Sequence, residues 1–397
     1  LWYDAEVFAE LINMIHMQNL PLSYIELSPE NLAHNLTSLR SLAKEGTKLA
    51  FAVKGNAYGH GLVEIVAIAE PHADYFFVNS IEELRIVRAH SSKPTFLFGY
   101  VAPQLLGEAL SLGCILGIFS EEQFLKLDAV AREAGVVQEV HITCDSLLGR
   151  DGFLMAELPK FLATAEECKN VRITGMYSHF ANIEDTTDFT HAQKQIDMYT
   201  EMREIARAAG YTDLDTHISA TSGLMVYEKD SGANTIVRIG IGGYGMWPSE
   251  TLKRNFMKKG FELKPVLSWK TQVAQVKLLE RGMTIGYGLT HVTQKETRIA
   301  LIPQGYADGY ARTLSGVGMV LIGGRRCAVL GRVSMNMFVV DATMVPEVKE
   351  GDEAVLIGEQ GDKSISAHEV AERSGTINYE ATTRISPLLP RIVKKSL

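Results

Sequence analysis

Cysteine is scarce in this chain and scattered. Cys114, Cys144, Cys168 and Cys327 are the four in 397 residues, with no C-x-x-C spacing and no ligand pairs beside them. That argues against a disulfide framework and against a zinc site, and fits a reducing cytoplasm. A basic stripe is also missing. The 39 Lys and Arg are outnumbered by 47 Asp and Glu, a formal charge of -8, which argues against a non-specific nucleic-acid binder, because phosphate affinity comes from clustered cations. Long apolar runs are absent too. Residues 1–20 place Val7, Leu11, Met14 and Ile15 at helical spacing, but Asp4, Glu6 and Glu10 lie between them. The acids rule out a secretory core or a membrane span there, and the spacing predicts an amphipathic helix docked on the protein.

What is present reads as soluble and globular, with 46% apolar and 22% charged residues, in a chain too long for one ordinary domain. From residue 47 one unit repeats. Strand-like runs at Thr47–Val53, Tyr75–Val78, Thr95–Phe98, Cys114–Phe119, Val137–Cys144, Val171–Tyr177, Asp215–Ile218 and Thr235–Ile239 alternate with segments of helical period such as Ile81–His90, Glu121–Glu133 and Ala192–Ala209. Eight such strands is the count of a (β/α)8 TIM barrel, an α/β fold; a doubly wound open sheet is the alternative, and the number favours the barrel. After Trp247-Pro248 the texture changes. From Lys264 onward short β-prone runs, Val266–Leu279, Thr297–Pro303, Met319–Ile322 and Ala354–Ile357, are punctuated by Gly, Pro and Asp. The expected organisation is an N-terminal helical extension over residues 1–22, the barrel over 23–255, and a mostly β domain over 256–397 that is joined by a strand from 23–28. Ser28 and Pro29 read as the N-cap and first residue of the opening helix.

The stretch on which the chain is organised is Lys48–Gly61. An apolar run ends abruptly at Lys54, and a loop with three glycines follows. A lysine at the tip of a buried strand is desolvated, so its pKa falls and the amine becomes a nucleophile for carbonyl carbons. In a (β/α)8 barrel the chemistry sits at the C-terminal strand ends, and other residues share that placement: Arg150 after the fifth strand, His179 after the sixth, and Arg238 at the close of the eighth. Singly, each could be a salt bridge or a satisfied buried histidine. Together they describe one mouth. The last two loops, Ser219-Ala220-Thr221-Ser222-Gly223 and Gly240-Ile241-Gly242-Gly243-Tyr244-Gly245, offer hydroxyls and glycine N–H groups where such barrels often bind phosphate. The second also matches G-x-G-x-x-G, but a dinucleotide motif belongs in the opening βαβ unit, so that reading is rejected. A strand-end lysine facing an anion cradle describes a pyridoxal 5'-phosphate site; no metal-ligand cluster is read.

Val53-Lys54-Gly55-Asn56-Ala57-Tyr58-Gly59-His60-Gly61 resembles the cofactor-lysine motif of the alanine racemase family, V-K-A-N-A-Y-G-H-G, and the resemblance extends from about Tyr24 to about Val393. It implies pyridoxal 5'-phosphate held by Lys54, Tyr58, Arg150, His179, Thr221, Arg238, Gly240, Ile241 and Tyr379. Within that set Arg150 matches the arginine near the phenolic oxygen and the substrate carboxylate, and Arg238 the arginine facing the pyridine nitrogen. Ile285-Gly286-Tyr287-Gly288 resembles the segment whose tyrosine is the second catalytic base, so Lys54 and Tyr287 would serve the two faces of the α-carbon. The backbone N–H of Met335, in Gly331–Asn336, matches the substrate-carboxylate donor, while Tyr306 and Arg312 lie in a segment that resembles the family's substrate entrance.

Several positions depart from the pattern. Thr143 stands where many members carry a lysine that becomes carbamylated, Ala220 replaces an asparagine, Thr221 a serine and Asn336 an aspartate. The resemblance implies racemisation of L-alanine to D-alanine, for cell-wall precursor supply, by a homodimer in which Tyr287 serves the partner's Lys54. Rival readings are a serine or broad-specificity racemase, a decarboxylase of the same plan, and a non-catalytic pyridoxal-phosphate binder; Tyr287 and the β domain speak against the last.

Overall fold

The computed structural model describes residues 21–395 except 185, 232 and 233. The helix expected over residues 1–20 lies outside them. The chain divides into two compact units, one of Ser28–Val266 and the other of Leu267–Lys394 with the segment that ends at Leu27. The division thus falls at Val266–Leu267 rather than at 255/256. The reason is local: a helix runs over Glu250–Met257, and the segment after it stays bonded to the barrel, with Val266 N–H donating to Tyr244 O at 3.2 Å and Ser28 N–H to Val266 O at 2.9 Å.

With β1 as Ser23–Leu27, the barrel strands are β2 (Lys48–Ala52), β3 (Tyr75–Val78), β4 (Thr95–Leu97), β5 (Ile115–Ile118), β6 (Gln138–Thr143), β7 (Val171–Tyr177), β8 (Asp215–His217) and β9 (Ile236–Ile239). All pair in parallel in the order β8-β7-β6-β5-β4-β3-β2-β9. The remaining seam, between β8 and β9, carries no regular ladder. Thr235 N–H donates to Thr216 O at 2.9 Å and Arg238 N–H to Ser219 O at 3.0 Å, which nearly closes the barrel. Helices between strands start where serines can take an orphan N–H: Ser80 accepts from Glu83 ahead of Ile81–His90, and Ser120 from Gln123 ahead of Glu121–Ala134. Inside the barrel the filling is aromatic as well as aliphatic. Phe98 stacks on Tyr177 at 4.2 Å between centroids and on His217 at 5.7 Å, and Ala50, Phe96 and Ile236 complete that cluster.

The second unit is mostly β, with a ten-stranded sheet and a separate two-stranded hairpin. The run expected as one strand over Val266–Leu279 is two, Leu267–Gln272 and Gln275–Leu279. They serve different partners: the first pairs with β1 and with Glu353–Gln360, the second with Thr297–Ile302. The change of partner occurs at Val273 and Ala274, whose N–H groups donate to Asp352 O and Leu301 O. β1 also lies parallel to Arg391–Val393. The pieces are locked by a buried polar chain in which Trp269 Nε1 donates to Gln304 Oε1 at 3.0 Å, Gln304 Nε2 to Ser23 Oγ at 2.8 Å, and Ser23 meets Thr271 at 2.7 Å.

Asn35, fully buried in the barrel's first helix Pro29–Arg40, carries the join between the last barrel loop and the exit segment. Its Nδ2 donates to Lys264 O at 2.8 Å and Gly243 O at 3.2 Å, and its Oδ1 accepts from Lys264 N–H at 2.8 Å. Asn35→Leu leaves these backbone groups without partners, each at a cost of about 1–3 kcal/mol. A lower urea midpoint with unchanged denaturant slope is expected, and an unshifted midpoint would show that the join does not depend on this side chain.

Candidate active site

Lys54 follows β2 directly, and the chain then makes a left-handed turn. Gly55, Asn56, Ala57, Tyr58 and Gly59 all have φ between 53° and 84°, a conformation that costs L-residues roughly 1–2 kcal/mol each. The turn persists because its backbone groups are satisfied. Ala57 N–H donates to Val53 O at 2.8 Å, Gly59 N–H to Gly55 O at 3.0 Å, and Asn56 Oδ1 accepts from Leu62 N–H at 2.9 Å. Glu83 is the outside brace, accepting Gly55 N–H at 2.6 Å and Asn79 N–H at 2.9 Å. In sequence Ser80-Ile81-Glu82-Glu83 reads as a helix-start box; in the fold the Glu83 carboxylate spans two loops instead.

The turn sets the Lys54 amine 5.3 Å from the centre of the Phe77 ring. Burial lowers its pKa from the usual lysine value, and Arg150 and then Arg238 push it further in the same direction, against weaker opposition from Glu83 and Asp151. Arg150 is held by Asp151, Nε to Oδ1 at 2.6 Å, with most of its side chain in solvent. Arg238 is buried at the end of β9. It donates to Ser178 O at 2.6 Å, His217 O at 2.8 Å, His217 Nδ1 at 2.5 Å and His179 Nδ1 at 3.2 Å. Burial brings its pKa down to about 10, so it stays charged at neutral pH. His179 is held neutral, pushed down to about 3 by burial and by Arg238, Arg150 and Lys54. A nucleophilic amine thus faces two fixed cations, an arrangement suited to an anionic carbonyl compound.

The last two loops, expected from the sequence to bind phosphate, meet through Thr221. Thr221 Oγ1 accepts from Gly240 N–H at 3.2 Å and Gly242 N–H at 3.4 Å. Gly242 admits no larger residue, because a Cβ there would stand 2.5 Å from Thr221 Cγ2. Ile241 is buried and opens the turn Ile241–Tyr244, and a Cβ on Gly240 would meet Tyr58 Oη at 2.7 Å. Tyr244 Oη donates to Ala52 O at 2.8 Å, so the glycine loop is tied to the strand that ends at the lysine. Thr143, the departure from the lysine pattern, pairs in register with Tyr177. The hydroxyls of both are buried without a well-formed hydrogen bond.

Lys54, Tyr58, Arg150, His179, Thr221, Arg238, Gly240 and Ile241 all belong to the barrel unit. Tyr287, Tyr306, Arg312, Met335 and Tyr379 belong to the other. There Tyr287 sits on the turn of the two-stranded hairpin Thr284–Ile285 and His291–Val292 and is 73% exposed. Tyr306 and Met335 lie side by side, with Tyr306 N–H donating to Ser334 O at 3.1 Å and Ala307 N–H to Met335 O at 2.9 Å. Arg312 is exposed at the start of Arg312–Leu314, and Tyr379 is half-buried in the helix Asn378–Thr383.

Sequence reasoning missed Glu83, Gln195 and His217. Gln195, buried in Thr190–Ala208, donates to Ser146 O at 2.8 Å and His179 O at 3.0 Å and accepts from Ala181 N–H at 2.8 Å, pinning two mouth loops together. A polar residue inside a helical apolar stripe was its only signal. For His217 the signal was position, at the tip of β8.

Fold and site together define a class, a (β/α)8 barrel with a strand-end lysine of lowered pKa and with glycine- and hydroxyl-bearing final loops, followed by a β unit. Residues 27–248 match the family described as "Alanine racemase, N-terminal domain", and residues 266–393 match "Alanine racemase, C-terminal domain". The alanine racemase of Leptospira interrogans serovar Lai is 34% identical over 385 residues, 95% of this chain and 97% of its own length. That of Halothermothrix orenii is 34% identical over 377 residues, 94% and 97%. Among solved structures, alanine racemase of Clostridium difficile 630 superposes with a TM-score of 0.88 at 30% identity, covering 94% of this chain and 96% of that one. The Bacillus anthracis enzyme with bound L-Ala-P gives 0.87 at 32%, covering 95% and 96%. The chain belongs to the alanine racemase family, whose members are pyridoxal-phosphate-dependent isomerases.

The direction of the Lys54 shift is testable. A neutral amine fraction larger than a surface lysine's is expected at any pH below 10.5, because the folded pKa lies below that value. In the cofactor-free protein, Arg150→Leu removes the first repulsive neighbour and raises the Lys54 pKa. Proton titration followed by 13C NMR of reductively methylated lysines reads both values, and a Lys54 titration indifferent to Arg150 would contradict the cation pair.

Proposed function

We propose that this chain racemises alanine with Lys54 and Tyr287 as the two bases and with pyridoxal 5'-phosphate as cofactor. The observation that carries the reading is the half-buried Lys54 amine, whose pKa is lowered by burial and by two arginines, in the same unit as a loop pair in which Thr221 gathers the N–H groups of Gly240 and Gly242. Those residues fit the group: the cations suit its phenolic oxygen and phosphate, and the Thr221 hydroxyl with the converging Gly240 and Gly242 N–H groups is a donor set suited to phosphate oxygens. When bound, the cofactor's conjugated ring supplies a place for electron density leaving the α-carbon of an attached amino acid.

The chain supplies the rest. Lys54 captures the cofactor and, as a neutral amine, takes or returns the α-proton on one face through Nζ. Tyr287 Oη does the same on the other face. Thr221, Gly240, Ile241, Tyr58 and Tyr379 would hold the phosphate, and His179, within hydrogen-bond distance of Arg238, would contact the cofactor. Arg150 orients the phenolic oxygen and the substrate carboxylate, which also meets the Met335 N–H. Arg238, a cation with no proton to lend, faces the ring nitrogen and disfavours its protonation, which limits the electron sink and side reactions. Tyr306 and Arg312 line the approach.

Lys54 and Tyr287 belong to different units, and the working form proposed is a homodimer in which each Tyr287 serves the Lys54 of a second copy. Two-fold symmetry then makes two equal sites from one contact. Cytoplasmic location fits a chain in which no helix among the described residues is long and apolar enough to cross a membrane.

Circular dichroism of incubated L-alanine tests the activity, with L-serine as the comparison. Lys54→Ala and Tyr287→Ala are each expected to abolish racemisation, and mixing the two under conditions of proven subunit exchange is expected to restore it. Continued inactivity of the exchanged mixture would refute the shared site, and full activity of Lys54→Ala would refute the assignment itself. Arg238→Glu is expected to raise side reactions such as transamination in whatever enzyme folds, read as keto-acid formation per racemisation event; an unchanged ratio would place Arg238 away from the ring.

A further inference from the structure

Behind Arg238 the barrel interior holds two imidazoles in series. His217 and His141 are 0% and 1% exposed. His217 Nδ1 lies 2.5 Å from Arg238 Nη1, and His217 Nε2 lies 2.8 Å from His141 Nδ1. A guanidinium offers only donors, so His217 Nδ1 accepts. A neutral imidazole with bare Nδ1 carries its proton on Nε2, and that proton is donated to His141 Nδ1. His141 must then carry its own proton on Nε2. Burial and the charge of Arg238 hold both rings neutral, His141 at about 3 and His217 well below its ordinary value, so every proton in the chain has one direction.

The fold makes specific room for the second imidazole. Between β6 and β7 the register shifts at His141, which pairs with Gly175, and such irregularities re-aim side chains. A Cβ on Gly175 would stand 2.5 Å from the His141 ring. Tyr177 and Phe98 lie parallel to His217 on stacking geometry, and Phe96 lies 5.0 Å from His141. Gly175 thus clears the volume of a ring, and the 2.8 Å contact with His217 is what asks that ring to accept a hydrogen bond.

We propose that His141 is a positioning residue: by accepting Nε2–H from His217 it locks the tautomer whose Nδ1 lone pair receives Arg238, and so aims the cation at the cofactor ring. This rests on the reading of Arg238 as ring-facing. Without an acceptor at position 141, His217 either buries an unpaired N–H or moves its proton to Nδ1, where donor meets donor and Arg238 is driven from the imidazole onto its carbonyl contacts.

The holoenzyme labelled with 15N-histidine tests this in the wild type and in His141→Leu and His141→Asn. In the wild type His217 is expected as a single Nε2–H tautomer, with scalar coupling across the bond to His141 Nδ1. His141→Leu is expected to lose that single tautomer, to shift the cofactor absorption band, and to lower kcat by up to about a hundredfold, the scale of a small misplacement at a reacting centre. His141→Asn, whose carbonyl accepts the same proton, is expected to restore the tautomer and most of kcat. A wild-type His217 protonated on Nδ1, or a His141→Leu enzyme with unchanged tautomer and absorption, overturns the proposal even if the leucine variant folds poorly, since the first measurement needs no variant. A changed tautomer with unchanged absorption and kcat overturns the positioning role by a different route, because it shows that the carbonyl contacts of Arg238 hold it without the imidazole; the keto-acid ratio of Arg238→Glu separately tests whether Arg238 faces the ring.

Discussion

A guanidinium buried at the seam of the barrel organises the mouth. Arg238 closes the chain's own sheet through its backbone N–H to Ser219, while its side chain collects the carbonyls of Ser178 and His217 and a nitrogen of each of two histidines. A charge out of water persists only when such acceptors surround it. The loops after β7 and β8 therefore take the shapes that deliver those acceptors. Gln195 and the contact between Ser146 and Ser178 hydroxyls, at 2.6 Å, carry the same order to the loop bearing Arg150.

From that cation the chemistry follows by electrostatics. Burial disfavours the charged form of Lys54, and with Arg150 nearby and Arg238 fixed, protonating it adds a third positive charge to the mouth, so its pKa falls below the usual lysine value. Burial, with the same field added, keeps His179 neutral. The strained turn after Lys54 serves this arrangement by setting the amine at the mouth, and Glu83, whose carboxylate accepts two loop N–H groups, offsets the strain. An anionic cofactor would relieve the repulsion among the cations, which couples cofactor retention to the integrity of the mouth.

Much of this was legible in the chain. Apolar β-prone runs alternating with helical period mark the barrel strands to within a residue or two, as at Tyr75–Val78 and Val171–Tyr177, because strands buried on both faces must be continuous apolar runs. The last two loops stand out by hydroxyls and glycines. Less legible was Glu83, which sits in an ordinary helix-start pattern, and the break at Val273–Ala274, where an unbroken β-prone run changes partners. Neither pattern contains the distant strand or loop that decides it.

By itself the sequence determined the alternation of strands and helices, the change of texture near residue 264, and the residue types at the strand tips, since these depend on local periodicity and on chain order. Only the tertiary structure decided which of those residues share a field. The left-handed turn at Gly55–Gly59, the register shift that brings His141 onto Gly175, and the path from Arg238 through His217 to His141 join positions up to about a hundred residues apart. Their energies arise from distance and burial, which exist only once the barrel has closed.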